Sequence, residues 1–266
     1  GGFLTGGTVV FPDVVERLDP ASIWEVIDRE AVQRVNLVGN AFATPICDEF
    51  ERGNHSGHSL QLIGVGGAVT SASVKDRILR NLPQVVIADV AGSSESGSQL
   101  SNLSSKDAPA TSGVFTAAAG TCVVADDRSC VLQPGDPATG WLASHGRIPF
   151  GYLGDREKTE RTFPTVEGRR MVLPGDRARH LADGTIELLG RDSVTINSGG
   201  EKIFAEEVEG AMAAHPAVKD VIAVGRPSDR WGHEVVAVVE LLAGLDPRDE
   251  ELLAEAGKRL ARYKLP

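Results

Sequence analysis

Residues 173–209 read LPGDRARHLADGTIELLGRDSVTINSGGEKIFAEEVE. Gly175-Asp176 is followed by a turn at Ala182-Asp183-Gly184 and a strand over Thr185–Leu189. Gly190-Arg191 then opens into Asp192-Ser193, and Ile196-Asn197-Ser198-Gly199-Gly200 leads to a helix headed by Glu206 and Glu207. This polar punctuation sets one carboxylate, one guanidinium and a glycine pair on adjacent turns around two short apolar strands. An aspartate at a strand end can hold both hydroxyls of a ribose, and a neighbouring arginine can neutralise a phosphate or grip the same sugar. Gly199-Gly200 permits positive φ and close approach of backbone to a ligand. Taken alone, a Gly-Asp pair is more often simply a turn.

The order and spacing carry more. GD, a strand, then GR-x-x-x-x-I-N-x-G-G-E-K-I-x-x-x-E-V-E resembles the adenylate-forming ligases: acyl-CoA synthetases, luciferases and the adenylation domains of peptide synthetases. The resemblance implies that Asp176 binds the ATP ribose with Arg191 close by. It implies a hinge between two domains just after Arg191. Ser193 aligns with the hinge residue, usually Asp or Lys in the family, and Asp192 is adjacent.

Bulk properties narrow the alternatives. A chain of 266 residues with 41% apolar residues can bury one large core or two smaller ones. Its 27 basic and 37 acidic residues leave a net charge of −10, which argues against a nucleic-acid surface. The apolar runs are too short or too interrupted to span a bilayer. Cys47, Cys122 and Cys130 are odd in number and lack metal-ligand spacing, so thiols in a reducing compartment are expected. The expected location is cytoplasmic, with room for peripheral attachment to a membrane.

Along the chain, strands alternate with helices. Thr8–Phe11 reads as a short strand, Asp19-Pro20 starts a helix, and Val35–Val38 is a strand. A helix over Ala41–Arg52 carries Pro45 in its first turn. The strand Leu60–Val65, the helix Ser71–Asn81 and the strand Gln84–Val90 complete an α/β pattern with a mainly parallel sheet. Ligands in such sheets sit beyond the carboxyl ends of strands. A small-polar loop over Asp107–Gly113 precedes Val114–Ala125, a hairpin at Asp126–Arg128 and the strand Gly140–His145. Together these predict an antiparallel β sub-barrel. After Ser193 a compact α+β pattern follows: a helix from about Ala205 to His215, the strand Val218–Val224, a turn at Arg226–Asp229, the strand Glu234–Leu241, and a last helix from Asp246-Pro247 to about Tyr263. The expected domains are 1–192, the carboxy-terminal part of a large AMP-binding domain, and 193–266, a small carboxy-terminal domain.

Two strand ends stand out. Gly64-Val65-Gly66-Gly67-Ala68 is either a plain strand-to-helix turn or a backbone surface for a planar base. Asp89-Val90-Ala91-Gly92-Ser93-Ser94-Glu95-Ser96-Gly97 is either a capped loop of small polar residues or a site for phosphate and Mg²⁺. Hydroxyls donate to phosphate oxygens, and a carboxylate is a hard ligand suited to magnesium. Both fall where the resembled family keeps its adenine-contacting GGA and its Y-G-x-T-E motif. The resemblance therefore assigns Gly66, Gly67 and Ala68 to adenine. Ser93 and Ser94 go to phosphate or acyl-adenylate, Asp89 and Gly92 to the nucleotide site, and Glu95 to Mg²⁺, with Ser94 and Glu95 the catalytic candidates. Gly199 and Gly200 would line the coenzyme A channel. The aromatic that stacks on adenine in the family is Ala91 here, and the family Thr is Ser94. The D-x-x-G-S-S-E-x-G form, with Gly151-Tyr152-Leu153-Gly154-Asp155, is similar to actinobacterial fatty-acyl and steroid side-chain CoA ligases.

The resemblance implies an acid–thiol ligase that uses ATP, Mg²⁺ and coenzyme A on a small carboxylic acid. The family's phosphate loop is expected before Gly1 and its adenylation lysine after Pro266, so this stretch alone is expected to be inactive. Two alternatives stand beside this: a peptide-synthetase-type domain loading a carrier protein, and an inactive nucleotide-binding fragment.

Overall fold

A computed structural model describes residues 6–108 and 111–266. The first five residues and positions 109 and 110, inside the expected 107–113 loop, lie outside the described residues. The described chain falls into two compact units. The first comprises Gly1–Ala91 with Ser101–Ser112, the second Gly92–Leu100 with Gly113–Pro266.

In the first unit, helix α1 (Pro20–Arg29) starts on Asp19, whose carboxylate accepts the Ser22 amide at 3.1 Å, with Pro20 opening the first turn. Three strands follow, β1 (Arg34–Leu37), β2 (Leu62–Gly66) and β3 (Val86–Ser93, its last two residues in the second unit). They pair in parallel in the order β1-β2-β3. Helices α2 (Gly39–Phe50) and α3 (Ala72–Asn81) make the crossovers. Trp24, Ile27, Ile46, Ile63, Ile78 and Ile87 are buried in one core, and the Trp24 indole donates to the Ile46 carbonyl at 2.9 Å. Helix α2 begins earlier than its sequence suggests, so Pro45 lies inside it rather than in its first turn. Thr8–Phe11 is irregular and exposed instead of a strand: among the described residues it has no ladder partner.

The second unit is antiparallel. Strands β5 (Val114–Ala117), β6 (Thr121–Ala125), β7 (Gly140–His145), β8 (Thr165–Val166), β9 (Arg169–Val172), β10 (Asp176–His180) and β11 (Ile186–Arg191) run in the order β5-β11-β10-β7-β9-β8, with β6 on β7. Strand β4 (Gly97–Ser104) begins here, after a three-residue turn from β3. Helix α4 (Arg156–Thr162) sits between β7 and β8.

The expected sub-barrel is therefore corrected. Among the described residues the sheet is open, because its terminal strands, one of them the two-residue β8, do not meet. The parallel sheet expected over the first strands is β1–β3. The β1–β3 crossovers carry helices that return each strand in the same direction, whereas the tight turns at 126–129 and 182–184 reverse it.

After β11 a single 3₁₀ turn, Asp192–Val194, leads to a second sheet. Its strands are β12 (Ile196–Ser198), β13 (Glu201–Ile203), β14 (Val218–Ser228) and β15 (Gly232–Leu241), in the order β13-β12-β15-β14. Helices α5 (Ala205–Met212) and α6 (Asp249–Ala256) cover it around Ile203, Val208, Met212, Val221 and Leu252. The turn expected at Arg226 is strand: Arg226 lies opposite Glu234 and its Nε donates to that carboxylate at 2.7 Å. Helix α6 is shorter than expected at both ends, stopping where Gly257 supplies its cap.

Candidate nucleotide site

Asp176 opens β10 and Arg191 closes β11, and the two are paired in register. Fifteen residues apart in sequence, they meet because the hairpin brings strand start onto strand end. Arg191 Nε donates to Asp176 Oδ1 at 3.2 Å. The Asp192 amide closes the same corner on the Gly175 carbonyl at 3.0 Å. Gly175 and Gly190 hold φ of 110° and 116°, which side chains rarely adopt. The Asp176 side chain is 14% exposed and that of Arg191 57%. Burial raises the Asp176 carboxyl above its ordinary range; Arg191 pulls it back down, and the negative charge of Glu95 pushes it up again. Asp176 and Glu95 thus feel one another within this unit.

Glu95 lies in the Ser94–Ser96 turn between β3 and β4. The turn is tied from within. The Ser93 hydroxyl accepts the Glu95 and Ser96 amides, both at 3.2 Å, and meets the Ser96 hydroxyl at 3.0 Å. Ser96 in turn donates to Gln99 Oε1 at 2.7 Å, and the fully buried Gln99 donates to Ser144 at 3.0 Å. Gly92 is required by packing, since a methyl there would overlap the Gly97 carbonyl. Ser94 is exposed. The Glu95 carboxylate accepts the Tyr152 hydroxyl at 2.6 Å, and this bond above all lowers its pKa, against the opposing effect of burial. Among the described residues no three His, Cys, Asp or Glu side chains gather to hold a metal by themselves. One carboxylate beside serine hydroxyls is instead a donor set for Mg²⁺ carried on phosphates.

The remaining sequence-predicted residues of the second unit lie on turns. Ser193 is exposed in the 3₁₀ turn after β11. Gly199 and Gly200, with φ of 59° and 89°, form the two-residue turn of the β12–β13 hairpin. A side chain at Gly199 would meet the Trp231 ring at 2.9 Å.

In the first unit, Gly66 ends β2, and a Cβ there would lie 2.6 Å from the Val90 carbonyl. Gly67, at φ 78°, and Ala68 are exposed. Asp89 is 8% exposed, and its carboxylate is taken by Lys75, a fully buried lysine that also donates to the Thr111 carbonyl at 2.8 Å. Lys75 was not singled out from the sequence, because on helix α3 it reads as one charged residue among several. Tyr152 was read only as part of a motif. Nothing local to it signals a partner 57 positions away.

Residues 1–151 match the AMP-binding enzyme family and residues 207–266 the AMP-binding enzyme C-terminal domain, and the chain belongs to this family. It is 53% identical over 262 residues to the medium-chain acyl-CoA ligase Mig of Mycobacterium avium, covering 98% of this chain and 48% of that protein. It is 40% identical to the 3-oxocholest-4-en-26-oate–CoA ligase of Rhodococcus rhodochrous, covering 92% of this chain and 45% of that one. The chain therefore spans about half the length of the curated relatives it matches. The amide bond synthetase McbA from Marinactinospora thermotolerans shares the fold, with a TM-score of 0.80 at 23% identity over 95% of this chain and 50% of that one.

Proposed function

We propose that the chain forms part of an ATP-dependent acyl-CoA ligase that acts on a fatty acid or a steroid side-chain acid. The observation that carries this reading is the Asp176–Arg191 pair at adjoining strand ends, close enough to Glu95 for their charges to interact. Asp176 would take the ribose hydroxyls, and Arg191, more exposed, would contact the sugar or a phosphate. Gly66, Gly67 and Ala68 would pack the adenine, while Asp89, Gly92, Ser93 and Ser94 shape the nucleotide and acyl-adenylate loop. The Asp89 carboxylate is paired with Lys75, so Asp89 would shape that loop from a fixed strand end.

Mg²⁺ would be held by Glu95 and would neutralise charge on the phosphates. Displacement at phosphorus depends mostly on positioning, which the tied Ser93–Ser96 turn would provide. The substrate carboxylate would attack the α-phosphate of ATP, releasing pyrophosphate, and the coenzyme A thiol would then displace AMP from the acyl-adenylate. Residues 1–192 would belong to the large domain and 193–266 to the small one, hinged at Ser193, with Gly199-Gly200 near the thiol path. No helix among the described residues is long and apolar enough to cross a membrane. The reaction, with its soluble co-substrates, is assigned to the cytoplasm.

The test is acid-dependent pyrophosphate exchange and acyl-CoA formation by the protein expressed from its complete reading frame. Fatty-acid-dependent exchange followed by transfer to coenzyme A is expected. Transfer only to a carrier protein would replace the reading with a peptide-synthetase-type domain. Nucleotide binding without exchange would leave a nucleotide-binding protein.

A further inference from the structure

We propose that Tyr152 is a positioning residue that holds the Glu95 carboxylate in the orientation needed for the nucleotide's divalent cation. The proposal rests on the assignment of Glu95 made above.

Glu95 sits in a turn whose own hydrogen bonds fix the backbone: the Ser93 hydroxyl and the Ser96 amide and hydroxyl bond one another. A glutamate there has three side-chain torsions to settle. The 2.6 Å bond from the Tyr152 hydroxyl to Oε1 settles them and leaves Oε2 as the oxygen for a cation.

Tyr152 is itself held from several sides. Its amide donates to Thr159 Oγ1 at 2.9 Å, and that hydroxyl donates to the Asp155 carbonyl at 2.7 Å on the first turn of α4. The preceding residue is Gly151, at φ 150°, where any side chain would overlap Thr159. Arg170 fixes the loop further back, donating to the Pro149 and Phe150 carbonyls at 2.9 and 2.7 Å. The Tyr152 ring meets Phe163 edge-on at 5.9 Å, and the Lys158 ammonium lies 4.0 Å from its centroid. A phenol fixed by its backbone, its ring edge and its ring face, and spending its hydroxyl on a carboxylate 57 residues away, is built to orient that carboxylate.

The experiment is Tyr152→Phe in the protein expressed from its complete reading frame, with ATP affinity measured by calorimetry with and without Mg²⁺. Phenylalanine keeps the ring contacts and removes only the hydroxyl. The expected result is an about three- to tenfold loss of the affinity gained on adding Mg²⁺, with metal-free ATP affinity unchanged. Retention of the full Mg²⁺ gain would overturn the proposal. An equal loss with and without Mg²⁺ would also overturn it, because that is what a merely structural tyrosine gives. Glu95→Gln, measured in parallel, separates the two levels. If Glu95→Gln keeps the Mg²⁺ gain, the assignment of Glu95 fails and the proposal with it. If Glu95→Gln loses the gain while Tyr152→Phe keeps it, only the role of Tyr152 fails.

Discussion

Asp176 is mostly buried, and that burial raises its carboxyl above the ordinary value of 3.8. Its charged form is therefore disfavoured by the fold while being the form a ribose needs. A raised folded pKa means that the cost is absent below the unfolded value, grows as pH rises through the folded value, and is fully present above it. Asp176→Asn should accordingly raise the melting temperature at pH 7 and leave it unchanged near pH 3, as followed by calorimetric scans. Asp176→Ala should remove a charge-assisted bond of roughly 1.5–3 kcal/mol and lower ATP affinity about ten- to a hundredfold by titration calorimetry. Unchanged ATP affinity would remove Asp176 from the ribose site. Lys75 presents the opposite case, a fully buried cation paired with the mostly buried Asp89 carboxylate. Lys75→Met would strand the Asp89 carboxylate and destabilise the protein by about 3–5 kcal/mol, whereas pairing it with Asp89→Leu should recover most of that loss in urea unfolding.

Among the elements, the contact between β11 and α5 couples the strand that carries Arg191 to the segment after it. The Glu206 carboxylate, in the first turn of α5, packs over Gly190 where a Cβ would otherwise stand. It accepts the Arg191 amide, while burial raises its pKa and Asp176 adds to the rise. One of its oxygens is buried without a hydrogen-bond partner. Gly190 is thus required twice, for its φ of 116° and for the space the carboxylate fills. Gly190→Ala is expected to cost about 1–3 kcal/mol and to expose the α5 amides to hydrogen exchange, with α1 in the other unit unaffected. Uniform exchange behaviour across both helices would show that this contact is not local to α5. The Gly199-Gly200 hairpin illustrates a different economy. Its positive φ values are sufficient reason for two glycines, and the proposed thiol path beside them is tested by coenzyme A affinity.

At the scale of the whole chain, the proposed ligase reading carries a prediction about substrate size. The residues near the two glycine-rich strand ends are small: Gly66, Gly67, Ala68, Ala91, Gly92 and Ser93. The resemblance implies an aromatic ring where this chain has the smaller Ala91, and an apolar acid gains about 25 cal/mol for each Å² removed from water. A medium- or long-chain fatty acid, or a steroid side-chain acid, should therefore give higher kcat/KM than acetate or propionate in a panel assayed on the protein from its complete reading frame. Ala91→Tyr should shift that preference toward short acids, and highest efficiency with acetate in the unaltered protein would refute the argument.

Sequence alone determined what is written in contiguous residues. Asp19-Pro20 announces a capped helix, Gly199-Gly200 a turn that only positive φ can make, and GD through EVE a family, because caps, turns and motifs act between neighbours in the chain. The parallel start and the strands β11, β14 and β15 were likewise legible from the residue pattern, whereas β12 and β13 were not. Tertiary structure decided the rest. It opened the expected sub-barrel, because closure depends on whether terminal strands meet and not on any one strand's pattern. It carried Arg226 and Ser228 into a strand, because a ladder partner outweighs a local turn preference. It spent Asp89 on Lys75 and gave Glu95 to Tyr152. Such pairings are set by the three-dimensional course of the backbone, and the residues between the partners bear no mark of them.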